Sequence, residues 1–200
     1  MAKLIDETEL VIFDTETTGL DVFSGDRVVE IAAVKIKGDR CLSSFESMLN
    51  PGKAISPDAF KVNGISQKEL DAAPLPGEVL PRFIDFVGGN YLCSYNAAFD
   101  LGFLNNELVI LGRKRIEGIL VVDMLKLSRS ILPGLKRYPL WFVASELGIK
   151  RPQEHRALAD VMMTIEVFLK LKEKVRKDRP FEFEDLLSLS LLGDKDKEEA

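Results

Sequence analysis

The chain has 200 residues, 46% of them hydrophobic and 30% charged, with a net charge of −5. That length suits one domain with an ordinary buried core, and the composition excludes collagen-like, mucin-like and mainly disordered classes. No run approaches the ~18 to 20 apolar residues of a membrane span.

Residues 1–10 alternate charge with apolar side chains and contain no secretory h-region, so a cytoplasmic protein is expected. Residues 9–13 (ELVIF) read as a buried strand that ends in a polar cluster, DTETTG. Residues 28–37 (VVEIAAVKIK) are a second, β-branched strand, and Gly38-Asp39 turns the chain into a third over 41–49. Those three strands predict an antiparallel meander. Ser56-Pro57-Asp58 and Ser66 mark helix starts, and Ser66 with Glu69 matches a capping box. Helical spacing runs over 76–87 and stops at Gly88-Gly89. A fourth strand is expected at 91–95, a helix at 97–111, a fifth strand at 119–122, and helices at 124–131, 140–147 and 157–174. The fold class is therefore α/β: a mixed five-stranded sheet with flanking helices. The domain spans residues 1–176. Residues 177–200 form a C-terminal segment, acidic and leucine-rich at 181–192, then a frayed charged tail. The leucines suit a last core helix, or a short apolar peptide that docks on a partner. Cys41 and Cys93 both fall in runs that read as buried strands, so two reduced core thiols are expected.

The acidic balance argues against a protein that coats nucleic acid indiscriminately. A chain that gathers carboxylates around divalent metal also looks acidic, however, and is neutralised once loaded. Asp14 and Glu16 are candidates for that role. Two residues apart in extended chain, they share a face, and carboxylates that close repel unless a cation sits between them. Taken alone, DTETTG also fits a solvated turn. Asp100 follows the fourth strand in the first turn of a helix, where the macrodipole favours a carboxylate without any function. If strands one and four are parallel neighbours, Asp14 and Asp100 reach one sheet edge, where α/β sheets bind ligands. His155 is the only histidine. On one continuous helix its offset from Asp160 is a rotation of about 140°. The two meet if His155 lies in the loop before the helix and Asp160 in its second turn, and a neutral imidazole can then take a proton from water. Glu30, Asp85, Glu107 and Asp123 are acidic neighbours. Asp123, ending the fifth strand, is the best rival ligand.

Three segments in this order, FDTETTGL from Phe13, NAAFD from Asn96 and HxxxxD from His155, resemble the DEDDh 3′→5′ exonucleases, among them the epsilon proofreading subunits of bacterial DNA polymerase III. Supporting pieces are VVEIAAV from Val28, VNGIS from Val62 and the run from Leu147 to Asp160, so the likeness covers residues 10–171. The resemblance implies a ribonuclease H-like fold and two divalent ions, Mg2+ or Mn2+. Asp14, Glu16 and Asp160 would hold the first ion and Asp14 the second. Asp100 would support the second ion, partly through water, and His155 would deprotonate the attacking water. Thr15 and Thr17 would meet the terminal nucleotide, Leu20 and Ile65 would pack on the last bases, and Asn96 and Phe99 would border the strand. Tyr95 and Asn63 stand where many epsilon-like enzymes carry histidine, which bears on substrate preference. The implied activity is release of nucleoside 5′-monophosphates from single-stranded or frayed 3′ ends of DNA, in proofreading or repair, with a rate that falls as the imidazole protonates. RNA 3′ ends are the alternative substrate, and a non-catalytic nucleic-acid or polymerase-binding module the alternative class. A polymerase catalytic subunit or a sliding clamp is the partner implied, and no membrane.

Overall fold

The computed structural model describes residues 4–176 and 180–190. Strand β1 (Glu9–Thr17) pairs antiparallel with β2 (Val28–Lys37), and β2 pairs antiparallel with β3 (Arg40–Met48). Gly38, at φ 64°, supplies the left-handed residue that the two-residue hairpin between β2 and β3 requires. Helices α1 (Pro57–Asn63), α2 (Gln67–Ala72) and α3 (Pro76–Val87) precede β4 (Tyr91–Ser94). The α2 start carries the capping box of Ser66 and Glu69 that its sequence predicts. Then come α4 (Ala97–Ile110), β5 (Val121–Asp123), α5 (Met124–Ile131), α6 (Leu140–Glu146), α7 (Ala157–Arg176) and α8 (Phe183–Ser190). The five strands lie in the order β3-β2-β1-β4-β5, with β4 and β5 parallel to β1. This is the mixed α/β sheet expected from the sequence.

Helices cover both faces. Leu10 and Ile12 of β1 pack with Val161 and Phe168 of α7 on one side. Val11 and Phe13 pack with Phe83 of α3 and Leu104 of α4 on the other. Each such buried side chain contributes roughly 1.5–3 kcal/mol. The period of two then sets the polar residues that follow. Asp14 and Glu16 continue the face toward α7, and Thr15 continues the face toward α4.

Three sequence expectations are corrected. β1 does not end at Phe13, because β2 keeps pairing with it as far as Thr17. Its parallel partner β4 leaves sooner, after the pair Ile12–Cys93. Cys41 is exposed, since β3 is the outer strand of the sheet; Cys93 is buried in the centre. Asp160 falls in the first turn of α7, because the helix starts at Ala157. Phe181, Phe183 and Leu186 share the α7-side core, and the N–H of Ile5 donates to the carbonyl of Phe181 at 3.2 Å, so 181–190 pack onto the domain. The tail expected at 193–200 lies outside the described residues. Among the described residues no helix is long and apolar enough to cross a membrane.

Candidate active site

β4 ends at Ser94, and Asn96, in left-handed conformation at φ 72°, swings the chain into α4. That departure opens a crevice beside β1. The backbone N–H of Thr15 donates at 2.9 Å to Asp100 Oδ1, and the Thr15 hydroxyl donates to the same oxygen at 2.7 Å. Ser94 donates to Asp100 Oδ2. Asp100 thus stands in for the missing strand and fixes the first turn of α4 against β1. On the opposite face, oxygens of Asp14, Glu16 and Asp160 lie within 4.8 Å of one another. Asp100 is beside this trio and not in it. The side chains of Asp14, Glu16, Asp100, Asp160 and His155 all line one cleft of about 610 Å³.

Glu16 and Asp160 are 9% and 4% exposed, so their charges face little water. Burial, followed by the neighbouring Asp160, Glu30 and Asp100, pushes Glu16 up to about 9. Burial, with Asp100 and Glu16 beside it, holds Asp14 well above the ordinary carboxylate range. Burial raises Asp160 as well, against the hydrogen bond from Gln153 and the nearby His155. Asp100 is pushed up to about 6, burial outweighing its hydrogen bonds from Ser94 and Thr15. Asp160 Oδ2 accepts from Gln153 Nε2 at 2.6 Å, whereas its Oδ1 is buried with no hydrogen-bond partner. An orphaned oxygen within a trio of buried and half-buried carboxylates is the donor set that a hard divalent cation fits.

A stability prediction follows from the signs. Folded carboxylates with raised pKa values keep protons that the unfolded chain releases near pH 4. The stability they contribute is present below about pH 4 and is lost as the pH rises through their folded values, about 6 for Asp100 and about 9 for Glu16. In EDTA the thermal midpoint should fall by several degrees between about pH 5 and about pH 9. With Mg2+ or Mn2+ in place of the protons the fall should be largely removed. Equal slopes with and without metal would contradict this account of the trio.

His155 sits in the loop before α7 at φ 51°, where it faces the cleft. The next residue, Arg156, forms a forked pair with Glu30: Nη2 donates to Oε1 at 2.6 Å, and Nε lies 3.2 and 3.1 Å from the two oxygens. Glu30 also accepts from the N–H of Ala157, the first residue of α7, at 2.9 Å. Glu30, one of the acidic neighbours, is buried and turned toward α7. Two of the rival acids, Asp123 and Glu107, have other employment. Asp123 caps α5 through the Lys126 N–H at 3.0 Å and accepts from the Ala97 N–H at 3.2 Å. Glu107, 0% exposed, is held by Arg27 at 2.6 and 2.7 Å, which locks α4 to the start of β2.

The residues expected at the substrate are placed unevenly. Thr15 and Thr17 line the cleft floor and are largely buried, while Leu20 projects beside them, 84% exposed. The turn that presents Leu20 is tight: a Cβ on Gly19 would meet Asp26 Oδ2 at 2.2 Å. Phe99 borders the cleft, and Asn96 lies in the grooves on either side. Ile65 is corrected. It is 1% exposed in a small core with Val29 and Leu70, because the left-handed Gly64 that ends α1 turns the following residue inward. Val62 and Asn63 line the cleft instead. Sequence reasoning gave no role to Gln153 or Ser94, whose only signal was proximity to His155 and Asp100.

The family model for Exonuclease (RNase T) matches residues 11–168. The DNA polymerase III PolC-type protein of Caldanaerobacter subterraneus is 40% identical over 171 residues, 86% of this chain and 12% of that protein. The DNA polymerase III subunit epsilon of Aquifex aeolicus is 34% identical over 173 residues, 86% of this chain and 84% of that protein. The chain thus spans 12% of the length of the PolC-type relative and most of the epsilon subunit. Among solved structures, E. coli ExoI in a complex with single-stranded DNA superimposes with a TM-score of 0.75 at 20% identity, covering 84% of this chain and 41% of that one. Exonuclease X bound to 5′ overhanging duplex DNA gives 0.69 at 22% identity, covering 90% and 98%. These two structures share its fold.

Proposed function

The chain belongs to the exonuclease family, and from that premise we propose that it is a metal-dependent 3′→5′ exonuclease acting on DNA. It would hydrolyse the terminal phosphodiester bond and release nucleoside 5′-monophosphates, in proofreading or repair in the cytoplasm. The observation that carries the reading is the trio of Asp14, Glu16 and Asp160, one of its oxygens orphaned, in the same cleft as the only histidine.

Asp14, Glu16 and Asp160, with Asp100 behind them, would hold two divalent ions, Mg2+ or Mn2+, whose chemistry is to neutralise charge on the attacking and leaving oxygens. His155 would take the proton of the attacking water, its ring at the cleft and its backbone fixed through Arg156 and Glu30. Asp100 keeps Thr15 in place, so that the Thr15 and Thr17 positions border the terminal nucleotide. Leu20, exposed above the cleft, offers an apolar wedge against the last base, and Phe99 a second apolar wall. An apolar wedge selects unpaired ends, because only a base freed from its partner can be splayed onto it, and such stacking is tolerant of sequence. The polymerase III names of the relatives support association with a replicative polymerase.

A gel time course with 3′-ended single-stranded DNA and matched RNA, in magnesium and in EDTA, tests the reading. The expected result is a ladder that shortens from the 3′ end, only with metal, and faster on DNA. Faster shortening of RNA would move the substrate to RNA. No ladder on either, from folded protein with magnesium or manganese, would leave a binding module.

A further inference from the structure

Two grooves leave the cleft. One passes Leu20, Asp21, Phe23 and Phe99, and Asp58 stands on the cleft wall near Leu20. Asp58 is paired with Lys61 at 3.0 Å, whereas Asp21 lies in the groove itself, which no lysine or arginine lines among the described residues. The other, of about 710 Å³, opens from Asp14, Asn96 and His155 and runs over Arg129, Tyr138 and Trp141. It continues past Gln153 to Lys150 and Arg151. From Arg129 to Arg151 the chain holds Arg129, Lys136, Arg137, Lys150 and Arg151 against one acid, Glu146, although the whole chain is −5. Arg129, Lys136, Arg137, Lys150 and Arg151 are all exposed. Arg151 also reaches Glu166, at 3.4 Å.

Trp141 sits in the first turn of α6, 41% exposed. The guanidinium carbon of Arg137 lies 4.5 Å from its ring centroid and 5.0 Å from that of Phe142. Phe142 meets the indole edge-on at 5.7 Å and 88°. The preceding loop is braced as well. The Tyr95 hydroxyl donates to the Tyr138 carbonyl at 2.6 Å, and the Tyr138 hydroxyl donates to the Leu132 carbonyl at 2.8 Å. A large ring is therefore held in one orientation on the groove wall and still meets solvent. Fixed aromatic surface beside a line of cations suits a polyanion with stackable bases.

We propose that this second groove carries single-stranded DNA on the 5′ side of the bond that is cut, and that Trp141 stacks on one of its bases. The proposal rests on the exonuclease reading, which puts the 3′ terminus in the cleft. Charge decides between the two grooves: phosphates leaving past Asp21 meet acid and no lining cation, whereas those leaving over Arg129, Lys150 and Arg151 are neutralised. The last nucleotide is gripped in the cleft, and the strand behind it on the platform.

Trp141 is the only tryptophan, so its fluorescence reports on this groove alone. The probe is an oligothymidylate roughly a dozen nucleotides long, with a phosphorothioate at its 3′ linkage and calcium present. The expected result is saturable quenching by the oligonucleotide and much less by the dinucleotide. Trp141→Ala should weaken binding, read by anisotropy of a labelled oligonucleotide, about tenfold, and Trp141→Phe should recover part of it. Lys150→Gln with Arg151→Gln should flatten the salt dependence, the log–log slope falling by about 0.7 for each phosphate no longer neutralised. Binding without any tryptophan response would send the strand over the other groove and overturn the proposal, as would no binding at low salt. The two readings fail separately. A chain that shortens DNA from the 3′ end with unchanged fluorescence loses the groove and keeps the exonuclease. One that binds with quenching and never cuts keeps the groove and loses the activity.

Discussion

Asp14→Asn should lower the rate of 3′ nucleotide release by about a thousandfold or more, equivalent to about 4 kcal/mol at the barrier, and make the metal-free protein more stable. Both effects come from one carboxylate. Asp14 lies in a trio with Glu16 and Asp160, their oxygens within 4.8 Å, and Asp100 is close enough to raise it further. Without metal near pH 8, the folded chain must either tolerate that repulsion or hold protons against the solvent. An amide of the same shape removes one charge and can donate to a neighbouring carboxylate. The midpoint in EDTA should rise by several degrees, about 2–4 °C for each kcal/mol in a chain of this size. The substitution removes the ligand assigned to both ions, so magnesium should stabilise the variant far less than the parent. Activity assays and thermal melts with and without magnesium check the pair of results. Retained activity would remove Asp14 from the metal assignment. A variant less stable than the parent in EDTA would show that the trio is not a repulsive cluster. Opposite signs for activity and stability are what a site that sacrifices stability for function should give.

How much of this was legible in the sequence depended on whether a pattern was local. Strand β2 was read to the residue, since ten largely β-branched and apolar positions end at a Gly-Asp turn. Helix α3 was read as closely, between a proline and a glycine pair. Asp14 and Glu16 could be placed on one face because period two is a property of a single strand. The convergence of Asp14 and Asp100 on one sheet edge depends on strands one and four being parallel neighbours, which the sheet order bears out; the bonds from Thr15 to Asp100 had no signal in the sequence. What failed depended on neighbours distant in sequence. Whether Cys41 is buried is set by the place of β3 at the sheet edge, which no run of residues encodes. Ile65 reads as an exposed contact or as core with equal ease until Gly64 is seen to turn it toward Val29 and Leu70. The bond between Glu30 and Arg156 joins positions separated by 126 residues, and no local spacing predicts it.

That bond carries the second large effect. Glu30→Ala should reduce turnover about 10- to 100-fold, the usual cost of losing a residue that orients a metal ligand or its neighbours, with a smaller change in KM. Glu30 is 1% exposed on β2, in register with Glu16 on β1. It accepts the forked guanidinium of Arg156 and the first N–H of α7 together. His155 immediately precedes Arg156, and Asp160 lies one turn into the helix that Ala157 begins. One carboxylate therefore ties to the sheet both the loop with the proposed base and the helix with a proposed ligand. His155 also holds a left-handed backbone, at φ 51°, which for a residue with a side chain has to be maintained by its surroundings. Without Glu30, Arg156 can turn to water, the Ala157 N–H loses its acceptor, and the loop has less reason to keep that conformation. Glu30→Gln retains an acceptor for Ala157 and for one arm of Arg156, so it should recover part of the rate. A double-mutant cycle with His155→Ala separates positioning from general loosening. If Glu30 acts by holding His155, its loss should cost far less once the imidazole is gone. An equal cost in both backgrounds would assign Glu30 to the carboxylate trio or to the fold.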